Sequence, residues 1–366
     1  MKFVLAPDSF KESMTAKEVA DAMERGIKKV IPDAQCVKVP MADGGEGTVQ
    51  SLVDATEGYL YQGIVKGPLG DEVQAVFGML GDKKTAVIEM ASASGLHLVA
   101  REKRNPLLAT TYGTGQLIKA ALNKGANHII IGIGGSATND GGAGMIQALG
   151  GKLLTVDNKE INLGGGYLNL LHDIDLSGLD KRLKDTKIEV ACDVNNPLTG
   201  ENGASYIFGP QKGATSEMVK ILDDNLRHYA KIIKKQLDID IESIPGSGAA
   251  GGLGAGFLAF FCAELNRGIE LVTKHTKLKE KMQHADYVFT GEGSIDGQTL
   301  FGKTPLGVAL IAKELNIPVI AFAGRIGDGV EDLYKYGINS IIGILSEACT
   351  IDKALEKGPE NIERTC

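Results

Sequence analysis

The 366-residue sequence contains no stretch of 18 uninterrupted apolar residues, so no membrane-spanning helix is expected. It also lacks an excess of positive charge: Lys and Arg total 39 against 46 Asp and Glu, a formal net charge of -7. A chain that binds nucleic acid needs a concentrated basic surface, so nucleic acid is excluded as the main partner. A local Lys/Arg pocket for an anionic small molecule remains compatible with that balance. Cysteine is scarce. Cys36, Cys192, Cys262, Cys349 and Cys366 are widely spaced, odd in number and form no CxxC pair. Free thiols and a reducing, cytoplasmic setting are expected, and a structural zinc site is not. The six histidines show no HxxxH spacing and no GxSxG serine nearby, which argues against zincin and Ser-His-Asp chemistry. The opening segment Met1 to Asp8 is too short for a signal-peptide apolar region. Internal repeats and low-complexity tails are absent as well.

Glycine, by contrast, is abundant: 48 residues, with no collagen-like period and gathered in short loops. The densest run is Gly132-Ile133-Gly134-Gly135-Ser136-Ala137-Thr138-Asn139-Asp140-Gly141-Gly142. It follows His128-Ile129-Ile130-Ile131, an apolar stretch that reads as a buried strand. Glycine-rich backbone at a strand end lets several N–H groups converge on an anion. A phosphate cradle that also carries a fixed carboxylate implies a metal ion, because the two anions otherwise repel. The run therefore points to an enzyme that handles nucleotides or phosphates.

At this length two domains are expected. Lys2 to Ala6 reads as a strand, and Thr15 with Glu18 forms a capping box for a helix whose apolar stripe is Val19, Met23, Ile27 and Ile31. A second strand, Cys36 to Val39, a glycine-rich loop and another helix follow, giving the β-loop-α repetition of a parallel sheet. Residues 73 to 91 differ: two strand-like runs flank Gly81-Asp82-Lys83-Lys84, a predicted hairpin turn, so a mixed sheet is expected there. A long helix is predicted from about Thr215 to Leu237, and the β-loop-α pattern returns from Tyr287 onward. The fold expected is α/β: a discontinuous parallel-sheet domain of residues 1–72 plus 284–366, with an α/β domain of mixed sheet inserted at 73–283.

In open α/β sheets, ligands bind beyond the C-terminal ends of the strands. Polar loops fall there repeatedly: Asp8, Ser9 and Lys11; Asp43 and Glu46; Asp193; and Glu292, Ser294 and Asp296. One such acid is most simply a helix cap or an Asx turn. Four acidic, glycine-rich loops together suggest oxygen donors for Mg²⁺ and a base. The loop Pro245 to Gly256 reads equally as a phosphate cradle and as close helix packing. Gly297 to Thr304 matches the P-loop pattern, but six residues separate it from the predicted strand. Gly132 to Ala137, with Asp157 about 20 residues further on, matches a dinucleotide fingerprint; an NAD-dependent dehydrogenase is the alternative reading.

The ordered blocks Asp8-Ser9-Phe10-Lys11, Pro40 to Thr48, Glu89 to Leu96, Gly113-Thr114-Gly115, the glycine run itself, Asp193 to Leu198, Phe208 to Ala214, Gly248 to Gly252 and Thr290 to Gly293 resemble the bacterial glycerate kinases over essentially the whole chain. The resemblance implies a Rossmann-like discontinuous domain, D-glycerate as substrate, and ATP with Mg²⁺ as cofactors. Phosphoryl transfer needs positioning, charge neutralisation and a proton acceptor. On that basis Asp193 is expected as base, with Asp296 as second choice, and Lys11 is grouped with them. Asp8, Ser9, Lys11 and Arg325 are expected to bind the substrate, the cations taking its carboxylate. Gly134, Gly135, Ser136, Gly248, Gly251, Gly252 and Lys303 are expected to bind phosphate or nucleotide. The metal ligands expected are Asp43, Asp140 and Asp193. The hydroxyl that is phosphorylated is expected at the 2-position rather than the 3-position, and oligomeric state stays open, a homodimer included.

Overall fold

The structure, a computed structural model, describes all 366 residues. The chain forms two compact units, Met1–Gly58 with Arg267–Cys366, and Tyr59–Asn266. Strands β1 (Lys2–Leu5) and β2 (Gln35–Lys38) open the first unit. The second holds β3 (Tyr59–Lys66), β4 (Glu72–Met79), β5 (Thr85–Glu89), β6 (His128–Gly132), β7 (Lys152–Leu154), β8 (Asp173–Asp175), β9 (Lys187–Ala191) and β10 (Glu264–Asn266). The chain returns to the first unit with β11 (Tyr287–Ile295), β12 (Val319–Ile326) and β13 (Ile338–Gly343).

The first unit is a five-stranded sheet in the order β13-β12-β11-β1-β2, with every pair parallel. Its first helix, Ala16–Val30, begins at the Thr15/Glu18 capping box and gives way to Pro32. Val19, Met23 and Ile27 on its inner face pack with Phe3, Leu5, Phe289 and Phe322 into one apolar core. Removing these side chains from water is the main force holding helix to sheet. The helix Thr304–Glu314 starts with Pro305, whose fixed φ suits the first helical turn.

The second unit has a six-stranded sheet in the order β10-β9-β6-β5-β4-β3. From β10 to β5 the pairs are parallel, while β5-β4 and β4-β3 are antiparallel. The mixed character arises at the turn after β4, where one Asp82 carboxylate oxygen accepts from the backbone N–H groups of both Lys84 and Thr85. β7 and β8 form a separate two-stranded ribbon, and the long helix Ser216–Leu237 lays Leu226, Tyr229, Ala230 and Ile233 into a second apolar core.

The unit boundaries differ from the sequence expectation at both ends. β3 hydrogen-bonds to β4 along its whole length, so the crossing point is at 58/59 instead of 72/73. β3 is an edge strand with an irregular pattern of exposure, which hides its period-2 signal. Residues 267–283 fold with the first unit because Gly268 packs directly on the backbone of Asp43 and Ile269 fills the space beside Gly307. The closing segment is two short helices, Ile351–Glu356 and Gly358–Thr365, with Pro359 at the break.

Candidate active site

The C-terminal ends of β1, β11, β12 and β13, together with the loop after β2, enclose a cavity of about 510 Å³ in the first unit. The loop after β1 supplies Asp8, Ser9 and Lys11, and the loop after β2 supplies Asp43 and Glu46. β11 supplies Glu292 and Ser294, and β12 supplies Arg325, the register partner of Ser294. Lys303, the residue that caps the helix Thr304–Glu314, completes the cationic set.

Two acids in this cavity have altered affinities for protons. Burial raises the Asp8 carboxyl to about 6; the hydrogen bond from the Thr304 hydroxyl at 2.5 Å opposes the rise, and the charge of Asp43 adds to it. Burial also raises Glu292 to about 7, opposed by the ammonium of Lys303 at 3.5 Å and the hydroxyl of Thr299 at 2.8 Å. Asp43 sits in an Asx turn, one carboxylate oxygen accepting from the N–H of Gly45 at 3.0 Å. The buried hydroxyl of Ser294 has no hydrogen-bond partner. Three cations beside acids that titrate near neutrality form a site able to bind an anion and orient a hydroxyl.

In the second unit the glycine run begins as β6 ends, next to β9 in the same sheet, with Gly132 in register with Ala191. Gly134 and Gly135 are exposed at that edge, as is Asp193 just beyond β9. The remainder of the run is buried and tied down. Lys212, itself buried, donates from Nζ to the Ser136 hydroxyl and to the Thr138 carbonyl, each at 2.7 Å. Burial pulls the Lys212 ammonium down to about 7, and the charge of Asp140 works against that shift. Asp140 is wholly buried and accepts from the hydroxyl of Thr110, the N–H and hydroxyl of Thr111 and the N–H groups of Gly142 and Gly144. Burial raises its carboxyl despite these bonds.

The sequence profile of the glycerate kinase family matches residues 3–366. The chain belongs to the glycerate kinase family. Glycerate 2-kinase of Escherichia coli (strain K12) is 56% identical over 364 residues, covering 100% of this chain and 96% of that protein. Glycerate kinase of Bacillus subtilis (strain 168) is 56% identical over 365 residues, with the same coverage. A crystal structure from Salmonella typhimurium LT2, provisionally named glycerate kinase 2, superposes with a TM-score of 0.93 at 52% identity, covering 100% of this chain and 96% of that one. Membership over the full length makes the protein an enzyme with the two-unit α/β fold of that family.

Among the residues singled out in the sequence, Asp8, Ser9, Lys11, Asp43, Lys303 and Arg325 line one cavity in the first unit. Gly134, Gly135 and Asp193 lie exposed at one sheet edge in the second. Others have structural work. Asp140 is no metal ligand here, because its carboxylate is enclosed and committed to five donors. Ser136 points its oxygen at Lys212. Gly248, Gly251 and Gly252 are buried, and a side chain on any of them would strike the Pro197 carbonyl, the Thr138 carbonyl or Leu198 and Gly141, respectively. Close packing is their role, in place of the phosphate binding expected of them. Asp296 caps the short helix Gly297–Phe301 by accepting from Gln298 N–H at 2.9 Å, and it does not line the cavity.

The P-loop match covers that capped 3₁₀ turn and the start of the helix Thr304–Glu314, and only Asp296 separates it from β11, in place of the six residues expected. The dehydrogenase alternative is overturned too. A dinucleotide fingerprint opens directly into a helix, whereas here ten residues separate β6 from a six-residue helix, Ala143–Ala148, and the family match is to kinases. Sequence reasoning counts Glu292 among the strand-end acids without a role of its own and gives none to Lys212. Glu292 lies inside β11, which runs on to Ile295, while nothing local marks a lysine after Pro210-Gln211 as buried.

Proposed function

We propose that the protein phosphorylates D-glycerate with ATP, favouring the 2-hydroxyl, as a cytoplasmic enzyme. The observation that carries this reading is the gathering of Lys11, Lys303 and Arg325 with Glu292 and Asp8 in one cavity at the ends of parallel strands. Arg325 and Lys11 take the glycerate carboxylate, and the guanidinium fork suits a planar carboxylate best. Asp8 and Ser9 accept and donate to the sugar-acid hydroxyls. Lys303, at the start of a helix, meets the phosphates where the helix dipole adds to its charge. Gly134 and Gly135 offer open backbone for a phosphate in the second unit. Asp193 is the proposed proton acceptor. The name of the Escherichia coli relative, a glycerate 2-kinase, supports the 2-position.

The donor set also suits a hard cation. Asp43 and Glu46 present carboxylates to the cavity, and Mg²⁺ prefers oxygen ligands with room for water. Asp43 and Glu46 would hold Mg²⁺. The ion supplies neutralisation of the phosphate charge.

The test is a turnover assay with ATP, Mg²⁺ and D-glycerate, with the product read by proton-coupled phosphorus NMR. A phosphate on the 2-oxygen couples to one carbon-bound proton and gives a doublet; on the 3-oxygen it couples to two and gives a triplet. A triplet removes the 2-position, and absence of ATP-dependent product removes the reading altogether.

A further inference from the structure

The cavity of the first unit is much larger than a three-carbon acid requires. Its 510 Å³ falls in the range of roughly 300–1,000 Å³ that encloses ligands of drug or nucleotide size. Its lining is also divided in two. Lys11, Lys303 and Arg325 stand on the polar side, whereas Ile344, Leu345, Ile351 and Leu355 form an apolar wall. This wall is built from the segment after β13 and from the helix Ile351–Glu356. Leu345 is 41% exposed and Ile351 74% exposed, so large aliphatic side chains border the cavity with no protein covering them. Glycerate has no apolar group to cover such a wall. In addition, Ser294 is one of the lining residues, and its buried hydroxyl has no hydrogen-bond partner.

We infer that this one cavity seats the nucleoside triphosphate, with its flat base against Leu345, Ile351 and Leu355 and its phosphates directed to Lys303 and the neighbouring cations. A heteroaromatic base buries apolar faces on such a wall, and the ribose and phosphates supply polar atoms for Ser294 and the cationic side. The inference rests on the kinase reading above and adds the location of the donor's base.

A reporter lies at the site. Cys349 is an exposed free thiol on the cavity lining, and Cys262 is an exposed free thiol in the second unit. The experiment measures the alkylation rate of each by N-ethylmaleimide on the full chain, by peptide mass spectrometry. The additions are ADP at a concentration that inhibits turnover, inorganic tripolyphosphate, or D-glycerate. The expected result is at least a tenfold slowing at Cys349 with ADP, little slowing with tripolyphosphate or glycerate, and no change at Cys262. Leu345→Asp and Ile351→Asp, both at exposed positions, should remove the protection by ADP and raise the KM for ATP at least tenfold, while leaving the KM for glycerate within threefold. Unprotected Cys349 under inhibitory ADP, or an unchanged KM for ATP in both folded variants, overturns the inference while the kinase activity stands. Absence of turnover in the wild-type chain overturns the kinase reading instead.

Discussion

The ammonium of Lys303 stands 3.5 Å from a carboxylate oxygen of Glu292, and the same oxygen accepts from Thr299 at 2.8 Å. Even with these partners, burial lifts Glu292 to about 7, and Asp8 in the same cavity lies at about 6. The sign for ligand binding follows directly. As pH falls through 7 and then 6, each acid takes up a proton and the cavity loses negative charge. Anionic ligands are therefore expected to bind several-fold more tightly on the acid side of this window. Glu292→Gln should flatten the part of the KM profile centred near 7 and leave the part near 6. A profile that is identical in the variant would show that another group sets it.

Asp193 separates proton acceptance from binding. It is exposed at the end of β9, on the strand next to the one that leads into Gly134. Asp193→Asn keeps the shape and removes the charge, so kcat should fall by about 10²–10⁴. Glu292→Gln should hold kcat within tenfold at low pH, where the wild-type residue is already protonated. Near wild-type turnover in a folded Asp193→Asn protein would move the proton acceptor elsewhere, with Glu292 next in line.

Much of this arrangement is legible in the amino-acid sequence. The capping box at Thr15 and Glu18, the apolar run before Gly132 and the acidic loops at strand ends each carry a local signal, and local signals survive into the fold. The division of the glycine loops into packing and open backbone is not legible there. Gly134 and Gly251 are alike in sequence, and only the backbone that approaches Gly251 distinguishes them. β3 escapes sequence reasoning because an edge strand needs no strict alternation of apolar and polar residues. Lys212 escapes it because its burial depends on a loop some 75 positions lower in the chain.

Lys212 makes a prediction about stability. Its folded-state affinity for protons is depressed to about 7 by burial, far below the ordinary lysine value of 10.5. Between those two values the unfolded chain holds more protons than the folded one, so this group's contribution to stability grows as pH rises from about 7 toward 10.5. Lys212→Met should abolish that increment. It also leaves the Ser136 hydroxyl and Thr138 carbonyl without their donor, at a cost of roughly 1–3 kcal/mol. Denaturant melts at pH 7 and pH 9 should show the gap between wild type and variant widening at the higher pH. A gap that stays the same at both pH values would mean that Lys212 stays fully charged inside the fold.

Gly251→Ala and Gly134→Ala set packing against ligand contact. Gly251 has a φ of +70°, and its Cβ position is occupied by the Thr138 carbonyl and the Asn139 backbone. A methyl group there meets backbone that cannot rotate away, and alanine resists the left-handed conformation as well. A loss of about 2–4 kcal/mol in unfolding free energy is expected, with activity per folded molecule lowered through the displaced loop. At Gly134 an added Cβ meets nothing within 4 Å, so stability should change by less than about 0.5 kcal/mol. If its backbone receives a phosphate, the new methyl group stands where the ligand approaches, and the KM for ATP should rise at least tenfold. Unchanged ATP kinetics in Gly134→Ala would remove the glycine run from phosphate binding and leave it a purely structural loop.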